Sequence, residues 1–230
     1  MREDQFPTSQ WAAWAQDFVS IRRNLMSLGA KRVVHRAHRE VLNRHQISDG
    51  TSVVHRWMAD NYADSMLMGL RRIVDRNRRS FSLIRLLKDI EKNSSLLNVD
   101  RYVELWRRAT ASDDDVFPRM LFAKFSSDGR TLNGGKIRAD VKRLQDDHED
   151  ILKLINTAIA HREDPQTSDP RSGSSSDATW ADLDRLFDDV ASLFNKYFDL
   201  VSPGTHVDFA PVLPAGFERA FVRMVIDDDG

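Results

Sequence analysis

The sequence predicts an all-α protein, a multi-helix bundle with one long helix at its centre and a short irregular C-terminal tail. Three observations lead there. Apolar residues recur in steps of three and four at Trp11, Trp14, Phe18, Ile21, Leu25 and Leu28, the spacing that lines one face of a helix. The same spacing returns between Lys136 and Glu163, a stretch bracketed by Gly134-Gly135 and Pro165, and again from Trp180 to Phe198. Stripes this broad are costly to leave in water, so the helices that carry them must pack on one another.

Composition sets the outer bounds. The chain has 230 residues, 41% hydrophobic and 30% charged, the balance of a globular protein and not of a disordered one. That length supports one domain, or a domain with an appendage. We read residues 1–200 as a single bundle with a flexible loop at 164–179 inside it, and 201–230 as an irregular extension. The absence of cysteine excludes disulfides and thiolate metal sites and fits a cytoplasmic location. No uninterrupted apolar run follows Met1-Arg2-Glu3-Asp4, so neither a signal peptide nor a membrane span is expected. The net charge of −1 conceals an asymmetry: residues 1–110 carry 20 Lys/Arg against 12 Asp/Glu, whereas 177–230 carry 4 against 11. A basic front half suits a polyanion, and two ordinary solvated faces explain the same numbers.

The first helix starts near Thr8 or Ser9, either of which can cap it. Beyond Gly29 the apolar line drifts to Val33, Ala37 and Val41 among arginines, and the pattern leaves open a break at Gly29 or continuation to about Arg44. His35, His38 and His45 share a face, but the arginines around them favour a charged, solvated helix over a metal site. A second helix spans roughly Ser52 to Arg78, with Met66, Leu67, Leu70, Ile73 and Val74 on its apolar side and Arg72 and Asp75 one turn apart on another. Ser80 is placed to cap a third, carrying Phe81, Ile84 and Leu87. A fourth covers Val99 to Thr110 with Tyr102, Leu105 and Trp106 inward.

Asp113-Asp114-Asp115 reads as a helix start that welcomes negative charge, not as a magnesium site. Gly134-Gly135-Lys136 lacks both the upstream glycine and the following Ser/Thr of a P-loop. The central helix then carries Ile137, Val141, Leu144, Ile151, Ile155 and Ala158, with His148 standing where the seam expects an apolar residue. A second line, Ile151, Leu154 and Ala158, reaches His161. Residues 165–178, rich in Ser, Asp, Gly and Pro, should be mobile, and Thr179 can cap the last long helix. No HExxH, cysteine nucleophile or G-x-S-x-G is present, and no cofactor or metal is expected.

The run Asn156-x-x-Ile159-Ala160-His161-Arg162-Glu163 at the end of a long helix resembles the closing motif of HEPN-type proteins, most closely the AbiU-like abortive-infection branch. The Arg-rich end of the second helix, followed by Ser-Phe-Ser-Leu-Ile-Arg-Leu-Leu, is similar as well. This resemblance implies a helical bundle, a homodimer, and a role in phage defence or a toxin–antitoxin system with an antitoxin or other defence protein as partner. It further implies RNA or a nucleotide as ligand and metal-independent ribonuclease activity, with His161, Asn156, Arg162, Arg72 and Asp75 as site residues. The family's motif places an arginine before the histidine across a gap of four to six residues. Here the corresponding positions are Leu154, Ile155 and Asn156. Either His161 is a proton acceptor for a 2′-hydroxyl, or it belongs to a buried polar cluster that fixes how helices meet.

Overall fold

The computed structural model describes residues 8–46, 53–75, 81–155 and 179–217 together with Arg219. Among the described residues the regular elements are helical, and pairing in the β manner is confined to two isolated bridges, Asn98 with Thr131 and Ser126 with Leu132. The chain forms two compact units, one from Met1–Ile21 and Leu70–Val207, the other from Arg22–Gly69 and Asp208–Gly230. None of the described helices is long and apolar enough to cross a membrane.

In the first unit, the start of α1 (Thr8–Arg44) buries Trp14, Phe18 and Ile21. Phe18 meets Phe194 edge-on at 5.5 Å and Phe198 at 5.6 Å, both on α8 (Trp180–Phe198). Each such ring, fully buried, contributes about 1.5–3 kcal/mol. Trp14 and Gln10 both donate to one oxygen of Asp89, each at 2.6 Å, so the indole N–H enters the core already satisfied. Asp89 lies on α3 (Leu83–Lys92), whose Leu83, Ile84, Leu86, Leu87 and Ile90 form one buried stripe. Its cap is Ser82, not Ser80: the Ser82 hydroxyl accepts from the Arg85 amide at 3.1 Å and donates to the Asp75 carbonyl at 2.5 Å.

Asn98 caps α4 (Val99–Thr110), which buries Tyr102 and Val103 and leaves Leu105 and Trp106 only half-buried. At α5 (Val116–Phe122) it is Asp114 whose carboxylate accepts from the Val116 amide, while Asp115 pairs with Arg107. The aspartate run therefore works as a helix start.

The central helix departs from expectation at both ends. It begins at the glycine pair instead of after it: Asn133 caps α6 (Gly134–Asp147), its side-chain oxygen accepting from the Gly135 amide at 2.8 Å. A side chain at Gly134 would press on the Glu91 carbonyl at 3.1 Å, so the small residue lets α6 start against α3. Lys136 is spent on structure, donating to the carbonyls of Lys124 at 3.1 Å and Ser126 at 2.6 Å. At the far end the helix does not run unbroken to Glu163. It stops at His148, which has φ −125° and ψ 24°, and a separate helical stretch, α7, occupies 149–155 with Ile151 and Ile155 buried. Thr179 caps α8, its amide and hydroxyl both donating to Asp182 at 2.8 Å. After α8 the chain is irregular, tied by Asn195, whose side chain exchanges hydrogen bonds with the amide and carbonyl of Val207.

In the second unit α1 passes Gly29 without a break and continues to Arg44. The glycine is there for contact: a Cβ would fall 1.7 Å from the Phe209 carbonyl oxygen. Ala37, Val41 and Leu42 pack with Met58 of α2 (Val53–Val74) and with Leu213 and Phe217 of the tail. The arginine- and histidine-rich half of α1 is not simply a solvated face, because Arg32 is 7% exposed and His38 2%.

Candidate functional site

Of the residues singled out from the sequence, Arg72 and Asp75 lie among those described, at the end of α2. Arg72 is exposed and Asp75 half-buried, with its carbonyl bonded to Ser82. Asn156, His161 and Arg162 lie outside the described residues, as does the expected mobile stretch 165–178. The polar cluster read around His161 therefore lies outside the described residues.

What the first unit does place together is a polar seam between α6 and α8. Asp140 sits where Ile137 and Leu144 put it, on the edge of the apolar stripe, with its side chain 12% exposed. One of its oxygens accepts from Lys196 at 2.5 Å and from the Tyr197 hydroxyl at 2.7 Å; the other faces Arg143 at 3.4 Å. Burial, then the hydrogen bond to Asp140 and its negative charge, push the Tyr197 phenol above its ordinary value, so it stays protonated. About two helical turns on, where α6 ends, His148 is 4% exposed and its Nε2 lies 2.7 Å from Asp189. A cavity of about 320 Å³ opens beside the seam, lined by residues of both signs including Asp147, Asp189, Arg143 and Lys196.

Chemically this is a lock. The carboxylate of Asp140 is matched by two cations and a phenol, and the phenol is held in the form that cannot act as a base. A charged residue bordering an apolar stripe, and a histidine inside one, were the sequence signals for it. A second depression of about 450 Å³ runs along α3 and the start of α6 and is lined by Lys88, Lys92 and Arg138, the last held by Glu91 at 2.5 Å.

The histidines of α1 go to different neighbours. His45 is exposed, His35 stacks on Tyr62, and His38 pairs with His55. Among the described residues no group of three His, Asp or Glu side chains is arranged to hold an ion.

Compared with known proteins, residues 43–213 match the family model of the HEPN proteins described as AbiU2. That span contains α2 to α8, the polar seam and the Asn156–Glu163 motif. No curated protein and no solved structure matches the chain.

Proposed function

Because this chain belongs to the AbiU2 family of HEPN proteins, we propose that it serves a bacterial defence or toxin–antitoxin system by acting on RNA, as a metal-independent endonuclease. The observation that carries this reading is the family match over 43–213 taken with Asn156-x-x-Ile159-Ala160-His161-Arg162-Glu163 inside it. In the cleavage step His161 takes the proton of a 2′-hydroxyl, whose oxygen attacks the adjacent phosphorus. The P–O5′ bond breaks, leaving a 2′,3′-cyclic phosphate and a 5′-hydroxyl that receives a proton. Charge building on the phosphoryl oxygens calls for a cation, supplied by Arg162, by Arg72, or by a second copy of the chain in a homodimer. Asn156 orients the imidazole or bonds a phosphate oxygen. The exposed Lys88 and Lys92 suit the flanking phosphates of a bound strand. The setting is the cytoplasm, with an antitoxin or other defence protein as partner.

One observation favours a second reading. Leu154, Ile155 and Asn156 stand where the family's motif has its arginine, and Ile155 is 1% exposed, part of the core. In this reading the chain is a non-catalytic relative that binds RNA or a partner, and His161, Asn156, Arg72 and Asp75 are architecture.

An RNA-cleavage assay of the wild type beside His161→Ala separates the two, with melting temperatures recorded for both. Cleavage that disappears in the variant while Tm holds supports the nuclease. No cleavage by the wild type, or cleavage that survives His161→Ala, removes it.

A further inference from the structure

Within the first unit, α3 buries Leu83, Ile84, Leu86, Leu87 and Ile90 and turns its other side outward. On that side Arg85, Lys88 and Lys92 follow one another at steps of three and four, so they line up along a single edge of the helix. Lys88 and Lys92 are exposed and Arg85 is half-buried. At the head of the line stands Phe81, just ahead of the cap Ser82, and it is 65% exposed. The Arg85 guanidinium lies 5.5 Å from the centre of its ring, which places the ring beside the cations. At the other end Lys88 and Lys92 share the depression of about 450 Å³ with Arg138 of α6. Arg138 donates from Nε, at 2.8 Å, and from Nη2, at 2.5 Å, to one oxygen of Glu91, while its side chain stays 76% exposed.

The charge of Arg85 is shared with Asp17 of α1, so Lys88, Lys92 and Arg138 are the cations presented to a ligand. Among the described residues that line the depression, these three face one carboxylate, Glu91, and the edge is net positive. An exposed ring followed along one helix edge by cations matches a single strand of nucleic acid. A base of any identity stacks on the ring, and the phosphates beyond it meet the positive charges. In a duplex the base faces are already stacked on one another, so the ring has nothing to hold. A membrane is a poorer match, because the apolar stripe of α3 is buried in the core and one phenylalanine is left to enter the lipid.

We propose that the outer edge of α3 is a track for single-stranded RNA, in which Phe81 stacks one base and Lys88, Lys92 and Arg138 hold the phosphates beyond it. The inference rests on the reading that this chain acts on RNA, and it adds where and how the strand is held. It requires binding and not cleavage.

The test is fluorescence anisotropy of the full chain with a labelled 2′-O-methyl oligouridine, which lacks the attacking hydroxyl and so reports binding alone. The wild type should bind this strand, and bind it more weakly once it is annealed to its complement. Phe81→Leu keeps an apolar side chain without a π-face, and should weaken single-strand binding by about 5–150-fold with an unchanged salt dependence. Phe81→Tyr should restore the affinity. Lys88→Gln with Lys92→Gln should instead flatten the slope of log K against log salt by about 1.4, for two lost phosphate contacts. All three positions are exposed, so each Tm should stay near that of the wild type. A wild type that does not bind the strand, or binds the duplex as tightly, overturns the proposal, and so does full affinity in a folded Phe81→Leu protein. Should Phe81→Leu fail to fold, the lysine pair decides: an unchanged slope overturns the track and a flattened one supports it. Binding to phosphatidylglycerol vesicles that is lost in the lysine variant, while its RNA binding holds, also overturns it in favour of a lipid surface. The track and the nuclease fail separately. RNA cleavage by the wild type, with affinity and slope untouched in these variants, sinks the track alone; the expected binding without cleavage sinks the nuclease alone.

Discussion

His148 Nε2 lies 2.7 Å from Asp189 Oδ2, and His148 is also the residue at which α6 ends. The two facts share a cause. A histidine on an apolar seam has to bury its ring without losing its hydrogen bond, and α8 offers a carboxylate at the point where the backbone leaves helical geometry. The Leu152 amide then bonds the His148 carbonyl at 3.0 Å, so the next helical stretch starts from the same residue. His148→Ala should therefore cost about 1–3 kcal/mol in urea denaturation. Asp189→Asn should cost less than 1 kcal/mol, roughly, because the Asp189 side chain is half exposed and an amide oxygen can still accept. Equal losses from the two changes would contradict this account.

The tyrosines set the alkaline limit. Burial first, and then a carboxylate partner, raise the phenols of both Tyr197, bonded to Asp140, and Tyr102, bonded to Asp199 at 2.6 Å. For an acid whose folded value is raised, the folded state holds its proton longer than the unfolded chain. The stability this provides is fully present below the ordinary tyrosine value of about 10 and is lost as pH climbs above it. Thermal melts from pH 8 to 11.5 should show Tm falling steeply above pH 10. In the double variant Tyr102→Phe, Tyr197→Phe the fall should be shallower, from a starting stability lower by about 1–3 kcal/mol of lost hydrogen bonding.

Two helical glycines of the second unit should respond differently to alanine. At Gly29 the new methyl would fall 1.7 Å from a backbone oxygen, that of Phe209, which cannot turn aside. At Gly69 it would fall 2.4 Å from the end of the Leu28 side chain, which can rotate. Alanine also gains about 1 kcal/mol of helix propensity at either place. Gly29→Ala should thus destabilise by about 1–3 kcal/mol net, and Gly69→Ala should lie within about 1 kcal/mol of the wild type by chemical denaturation.

Apolar spacing was enough to reveal the helices, because burial of Trp14, Phe18, Phe187 and Phe194 is dictated by which face of a helix they share. Local chemistry was enough for the Thr179 cap. Where the sequence misled, the deciding partner was distant. His148 looks like a gap in a seam until Asp189, forty-one residues on, takes its ring. His38 looks like part of a solvated arginine helix until His55 faces it. Ser80 is the cap that local spacing suggests, yet Ser82 takes the role, its hydroxyl held by the Asp75 carbonyl. The candidate site around His161 rests on residue types alone, since Asn156, His161 and Arg162 lie outside the described residues, and a cation delivered from another helix or another copy would leave no mark on local spacing.

That missing cation gives the last prediction. The family's motif has its arginine ahead of the histidine with four to six residues between them, and Asn156 stands where that gap is four, before Thr157 to Ala160 and His161. An asparagine donates a hydrogen bond to a phosphoryl oxygen but carries no charge to balance the one that builds in the transition state. A single well-placed donor is worth about 10²–10³ in rate, and a guanidinium supplies two donors as well as a charge. If His161 already accepts the 2′-hydroxyl proton, Asn156→Arg should raise the rate of RNA cleavage by about tenfold or more. Adding His161→Ala to it should return the rate to background. The neighbouring Ile155 belongs to the core, so a melting curve must accompany the assay, and an unchanged Tm is the expected result. Cleavage that stays at background in a folded Asn156→Arg protein would mean that the chain lacks more than its arginine, and the binding role would then be the one to pursue. Cleavage that rises but survives His161→Ala would place the proton acceptor on another residue.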